Sequence, residues 1–271
     1  FRSGLPEGAA GAAPSNEQSH RARMWRWVGP HLERRRRGDK HPVLDFLFEY
    51  YFFKPSQLLE WRTGCAEPLP AHRRDSAQWI LALLEATANR PPAFACFGLH
   101  EWAMVYETAE RRHGGYPLRL SLSEINAFVR SQPVCCTHFD AYRFFTPAAR
   151  PLNHRQLSRD QQLEVEQPGC LHANMDLYKW ATKFWPWIPS DVVGDTFELA
   201  VAARELDMRA SPYDLRSLGY EPVCIETGAG REEYRRAQQE LFARAQPVRL
   251  RLIQAYRELL AASAGCRDAT G

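Results

Sequence analysis

Four segments of the sequence set imidazoles and carboxylates among large apolar residues. The first is Gly98-Leu99-His100-Glu101-Trp102, and the second runs from Thr137 to Phe145 through His138, Asp140, Tyr142 and Arg143. The third, Cys170 to Trp180, carries His172, Asp176, Tyr178 and Lys179; the fourth, Glu205 to Asp214, carries Asp207 and Arg209. Burying a charge costs several kcal/mol unless it is paired or neutralised, so such residues are either ion-paired scaffolding or parts of a reactive centre. At helical spacing His172 and Asp176 share a face, and Asp140 and Arg143 can pair; His138 and Asp140 share a face only if that piece is extended. One such pair is usually structural, because structural ion pairs also perturb pKa values. Four in one chain favour a functional centre.

Two chemistries suit these residue types. Asp140, Asp176 or Glu101, with His138 and His172 beside them, can serve as general base or stabilise a developing cation. His100, His138 and His172 with Asp176 have the ligand types of a non-haem iron or zinc centre, which would act on a small molecule. A helical binding module, in which the polar clusters only order the core, is the non-enzymatic reading. The sequence lacks GxxxxGK[ST], GxGxxG, HExxH and GxSxG, which argues against nucleotide-driven motors, Rossmann dehydrogenases, zincin proteases and α/β-hydrolases. The seven cysteines include no CxxC pair, so neither a zinc knuckle nor a disulfide framework is expected, and reduced thiols in a cytoplasmic protein are the simpler reading. Cys170, next to Gly169 and near His172, keeps a thiol nucleophile open.

Positioning these residues falls to helices. Ser15 to Gly38 has a helical pattern with Ser15 as N-cap and a kink at Pro30; its Arg21, Arg23, Arg26 and Arg34 to Arg37 suit either a phosphate backbone or a solvated face. Helices are expected over Asp75–Asn89, Leu99–Glu110, Leu171–Phe184 and Asp191–Met208, the last capped by Ser190. Ser121-x-x-Glu124 is a capping box, and Gly228 and Gly230 precede a final helix interrupted at Pro247. Short extended pieces are expected at Pro117–Leu120, Pro133–Thr137 and Pro222–Glu226. The expectation is a mainly α protein with a few short strands: a flexible leader over residues 1–16, then a single helical domain over 17–265. Hydrophobic residues make up 45% and charged residues 25%, an ordinary globular balance, and no apolar run has the roughly 18–20 residues that span a bilayer.

The same segments resemble a bacterial family, common in actinobacteria, whose members are labelled 3-methyladenine DNA glycosylase. The resemblance runs from about His41 to Ile253. It rests on His-Pro-x-x-Asp-Phe-Leu-Phe from His41, Cys-Phe-Gly-Leu-His-Glu-Trp-Ala-Met-Val-Tyr from Cys96, and His-Phe-Asp-Ala-Tyr-Arg-Phe-Phe-Thr from His138. Glu-Gln-Pro-Gly-Cys-Leu-His-Ala-Asn-Met-Asp-Leu-Tyr-Lys-Trp-Ala from Glu166 and Leu-Asp-Met-Arg-Ala-Ser-Pro-Tyr-Asp-Leu from Leu206 extend it. A Leu-Pro-Gly-Ile-Gly hairpin of the helix-hairpin-helix glycosylases is absent. The resemblance implies a repair enzyme that excises alkylated purines from DNA without a cofactor. Asp140, Asp176 or Glu101 would then be catalytic, Trp102, Tyr142, Tyr178 and Trp180 would wall the base pocket, and Arg143 and Arg209 would contact substrate.

Overall fold

Ser15 opens the first helix: its Oγ accepts from Gln18 N at 3.2 Å, and Gln18 Oε1 accepts from Ser15 N at 3.0 Å. Both bonds satisfy N–H groups that a helix start leaves unpaired. This helix, α1 (Asn16–Arg37), passes through Pro30 and ends at Gly38, whose φ of 77° suits a residue without Cβ. The computed structural model describes residues 15–64, 68–110, 113 and 115–265. The leader expected over residues 1–16 lies outside them except for its last two positions, and Asn16 already belongs to α1.

The described residues form α2 (Phe46–Glu49), α3 (Pro55–Leu58), α4 (Arg74–Ala88), α5 (Leu99–Ala103), α6 (Leu122–Ser131), α7 (Phe139–Tyr142), α8 (Gln162–Val165), α9 (Leu171–Lys183), α10 (Ser190–Arg209) and α11 (Gly228–Gly265). Mainly α architecture is therefore observed. Of the extended pieces, two carry only isolated bridges, Leu118 to Tyr213 and Val134 to Asn153. The α9–α10 pair forms the centre, α11 packs on both of these helices, and α4 packs on α11. Both central helices are buried along most of their length, and α10 shows only a weak amphipathic pattern, because a helix enclosed on all sides needs apolar residues all round. No described helix is long and apolar enough to cross a membrane.

Three expectations are corrected. The helix from Leu99 stops at Ala103 rather than Glu110, because the Ala103 and Tyr106 carbonyls accept from Thr146 N and Oγ1. Ser190 is the first residue of α10, not its cap; its Oγ accepts from Arg62 N and donates to Glu60 O, both at 2.9 Å. Finally, α11 includes Gly228 and Gly230 and continues through Pro247. Burial of Ala245, Leu252, Tyr256 and Leu259 outweighs the ~3 kcal/mol that an internal proline costs. A Cβ on Gly230 would stand 2.0 Å from Cys224 O, so this glycine is required by close approach.

Candidate active site

Helix α5 starts at Gly98, where φ is 73° and an added Cβ would lie 3.3 Å from that of Ala210. The tight entry drives three consecutive side chains into the core. His100 Nε2 lies 2.6 Å from Asp207 Oδ1 on α10, and Glu101 Oε1 accepts from Arg204 Nη1 at 3.1 Å. Trp102 donates to Ala210 O at 2.8 Å. Arg204 also donates to Asp207 Oδ2 at 2.8 Å, so one cation joins two buried carboxylates.

From α9, His172 meets His100 edge to face with ring centroids 4.4 Å apart, and its Nε2 lies 3.9 Å from Asp207 Oδ2. Burial, aided by the neighbouring His100, pulls the His172 pKa down to about 3, so this ring is neutral. His138, N-terminal to α7, lies 5.4 Å from His172 by ring centroid. Its Nε2 approaches Asp176 Oδ2 at 3.3 Å and Glu166 Oε2 at 3.8 Å, though neither ring nitrogen makes a well-aligned hydrogen bond. Burial disfavours the His138 imidazolium, but Asp176 and Glu166 outweigh it and raise the pKa. One helical turn on from His172, Asp176 accepts from Tyr51 Oη and Lys179 Nζ, both at 3.0 Å. Lys179 Nζ also donates to Asp140 Oδ2 at 2.6 Å, and Asp140 Oδ1 faces Arg159 at 3.0 Å and Arg143 at 3.2 Å. Burial alone would raise both carboxyls; Lys179 outweighs it and holds each below the ordinary carboxylate range.

The polar chain thus runs from a largely buried His–Asp cluster to an open cavity of about 640 Å³. Phe46, Tyr50, Tyr51 and Phe52 wall it; Asp140, Lys179, Arg143, Arg159 and Glu49 supply its charge. Phe46 and Tyr50 stack 4.9 Å apart, and Phe52 stands 88% exposed at the rim with φ of 53°. A second, enclosed cavity of about 100 Å³ lies against His100 and His172 and is bordered by Cys96, Cys136, Cys170 and Gln238. Burial pushes the Cys170 thiol up to about 12, so it is not a thiolate nucleophile at neutral pH.

The structure brings His100, His138, His172, Asp140 and Asp176 into one connected region. Glu101 joins only its far edge, through Arg204. Of the aromatic and cationic residues singled out above, Arg143 lines the open cavity. Trp102, Tyr178 and Trp180 are core residues, Tyr142 turns to Gln156, and Arg209 donates to Glu221 O at 2.9 Å. Sequence reasoning placed Asp207 and Lys179 in their segments without giving them a role, and did not single out Arg204, Tyr51 or Arg159. For three of these a signal exists: Arg204-x-x-Asp207 and Asp176-x-x-Lys179 both have the (i, i+3) spacing of a helical ion pair. Of the α1 arginines, Arg23 and Arg26 are tied to Glu198, Arg34 to Asp45 and Arg37 to Asp39; Arg21, Arg35 and Arg36 face solvent. Comparison with protein-family models, with curated proteins and with solved structures finds no match for this chain.

Proposed function

We propose that the open cavity binds an extruded, alkylated purine nucleotide of DNA and hydrolyses its glycosidic bond. The observation that carries this reading is the composition of the cavity: stacked aromatic walls, Asp140 and Lys179 on the floor with Asp176 buried behind Lys179, and two arginines at the rim. Aromatic faces accept a flat base and attract one that carries positive charge. Arg143 and Arg159, with 41% and 61% of their side chains exposed, suit flanking phosphates.

An alkylated purine leaves readily, because the electron pair of the breaking C1′–N bond neutralises its charge. The protein then needs to extrude the nucleotide and stabilise the sugar cation. Asp140 and Asp176 stay ionised at neutral pH and carry that electrostatic role. Water adds its oxygen to C1′ and gives up a proton to solvent or to a floor carboxylate, leaving an abasic site and the free base. Tyr51 holds Asp176 in place and closes one wall.

The test is release of free 3-methyladenine from methylated duplex DNA by the full chain, read by liquid chromatography and mass spectrometry. Release is expected, with Asp140→Asn slower by about 100-fold. No release by the wild type ends the proposal. Release left unchanged by both Asp140→Asn and Asp176→Asn also ends it.

A further inference from the structure

The aromatic cavity does not use the His100–His172–Asp207 cluster, which lies deeper and borders its own enclosed space. We propose that these three residues bind a divalent first-row metal ion, with the enclosed cavity supplying the remaining coordination positions. One donor atom from each residue lies within 4.8 Å of the other two. The donors come from three helices, α5, α9 and α10, so the tertiary fold and not one local motif assembles them.

Distances favour an ion here. Two donors on one tetrahedral zinc-like ion, each bonded at ~2.0–2.2 Å, stand about 3.4 Å apart. His100 Nε2 lies 2.6 Å from Asp207 Oδ1, and His172 Nε2 lies 3.9 Å from Asp207 Oδ2, so the pairs straddle that spacing. Shifts of about half an ångström in His172 and of under an ångström in His100 would bring both pairs to that spacing. At 3.9 Å His172 Nε2 makes no hydrogen bond to Asp207.

The surroundings have the form expected around ligands. Arg204 Nη1 donates to Asp207 Oδ2 at 2.8 Å and orients the carboxylate. His100 presents Nδ1 to Cys96 Sγ at 3.5 Å, which sets the ring orientation from its other side. Two imidazoles and one carboxylate suit zinc or ferrous iron; magnesium and calcium would demand oxygen donors. The adjoining cavity of about 100 Å³ takes waters or one small ligand and excludes a nucleobase. The ligand set differs from the one read from sequence in two members: His138 is not part of it, and Asp207 replaces Asp176, which Tyr51 and Lys179 already hold.

The experiment uses the untagged full chain, stripped with EDTA and titrated with Co(II). The wild type is expected to bind about one equivalent and to develop visible d–d bands, which zinc then quenches. His172→Ala and Asp207→Asn are each expected to bind more than about 100-fold more weakly, and Arg204→Lys about 10-fold more weakly. His138→Gln is expected to bind like wild type. Circular dichroism identifies any variant that fails to fold, and the near-isosteric Asp207→Asn keeps the test decisive if His172→Ala does. Absence of Co(II) uptake by the wild type overturns the proposal, as does unchanged uptake by folded Asp207→Asn. The readout is independent of base release.

Discussion

Lys179 Nζ lies 2.6 Å from Asp140 Oδ2 and so ties the core of α9 to the short helix α7 at the cavity floor. The same ammonium serves Asp176, so its removal leaves two carboxylates facing one another. Lys179→Met is therefore expected to cost about 2–3 kcal/mol, below the value for a fully buried pair because 24% of the side chain is exposed. Urea denaturation measures this. A loss under about 0.5 kcal/mol would mean that solvent or Arg159 replaces the ammonium without cost.

Trp102 and Tyr51 separate core from cavity. Trp102 is fully buried and donates to Ala210 O, so Trp102→Phe should lower stability by about 1–2 kcal/mol and leave base release per folded molecule unchanged. Tyr51→Phe removes the hydroxyl that donates to Asp176 and should slow base release by about 10-fold, with stability changed by about 1 kcal/mol or less. Denaturation midpoints and turnover measured on the same preparations distinguish the two patterns, and a reversed pattern would relocate the cavity wall.

Asp45 gives the fold an acid limit outside the candidate site. Burial raises its pKa, but hydrogen bonds from Arg34 and His31 outweigh this and leave it below the ordinary value. A carboxyl whose folded pKa is depressed contributes stability above its unfolded value of about 3.9, and that contribution disappears as pH falls through the folded value. Asp45→Asn should accordingly be less stable than wild type at neutral pH, with the gap narrowing towards pH ~3. Equal gaps at both pH values, read from denaturation midpoints, would contradict this.

Cys170 supplies a chemical probe of burial. A thiol pushed up to about 12 is protonated at neutral and mildly alkaline pH, and the thiolate is the reactive form. In the folded chain Cys170 should resist iodoacetamide, and it should become modified once denaturant is added. Peptide mapping by mass spectrometry follows both states; rapid labelling of the folded protein would show that the enclosed cavity opens to solvent.

Local signals in the sequence locate most helices. Ser15 and Ser121 cap where their side chains can reach the third helical residue, and the apolar period of α4 is clear because only one of its faces is buried. Tertiary partners decide what local pattern leaves open: Thr146 ends α5, Arg62 and Glu60 occupy Ser190, and core packing carries α11 past Pro247. The convergence of His100, His138, His172 and Asp176 is legible because charges set among apolar residues must meet partners. The cavity walls are not. Trp102, Tyr178 and Trp180 neighbour the ionisable residues in sequence but pack into the core, whereas Phe46, Tyr50 and Tyr51 come from a stretch that reads only as aromatic and apolar.

Helix α11 holds the site from behind: Gln238 donates to Gly169 O at 2.7 Å, Arg249 to Asn174 Oδ1 at 2.7 Å, and Tyr256 to Trp180 O at 2.7 Å. These anchors bracket α9, the helix that carries His172, Asp176 and Lys179. During synthesis the chemistry-bearing segments leave the ribosome well before the element that braces them, so a nascent or prematurely terminated polypeptide is expected to carry every reactive side chain yet lack the brace that aligns them.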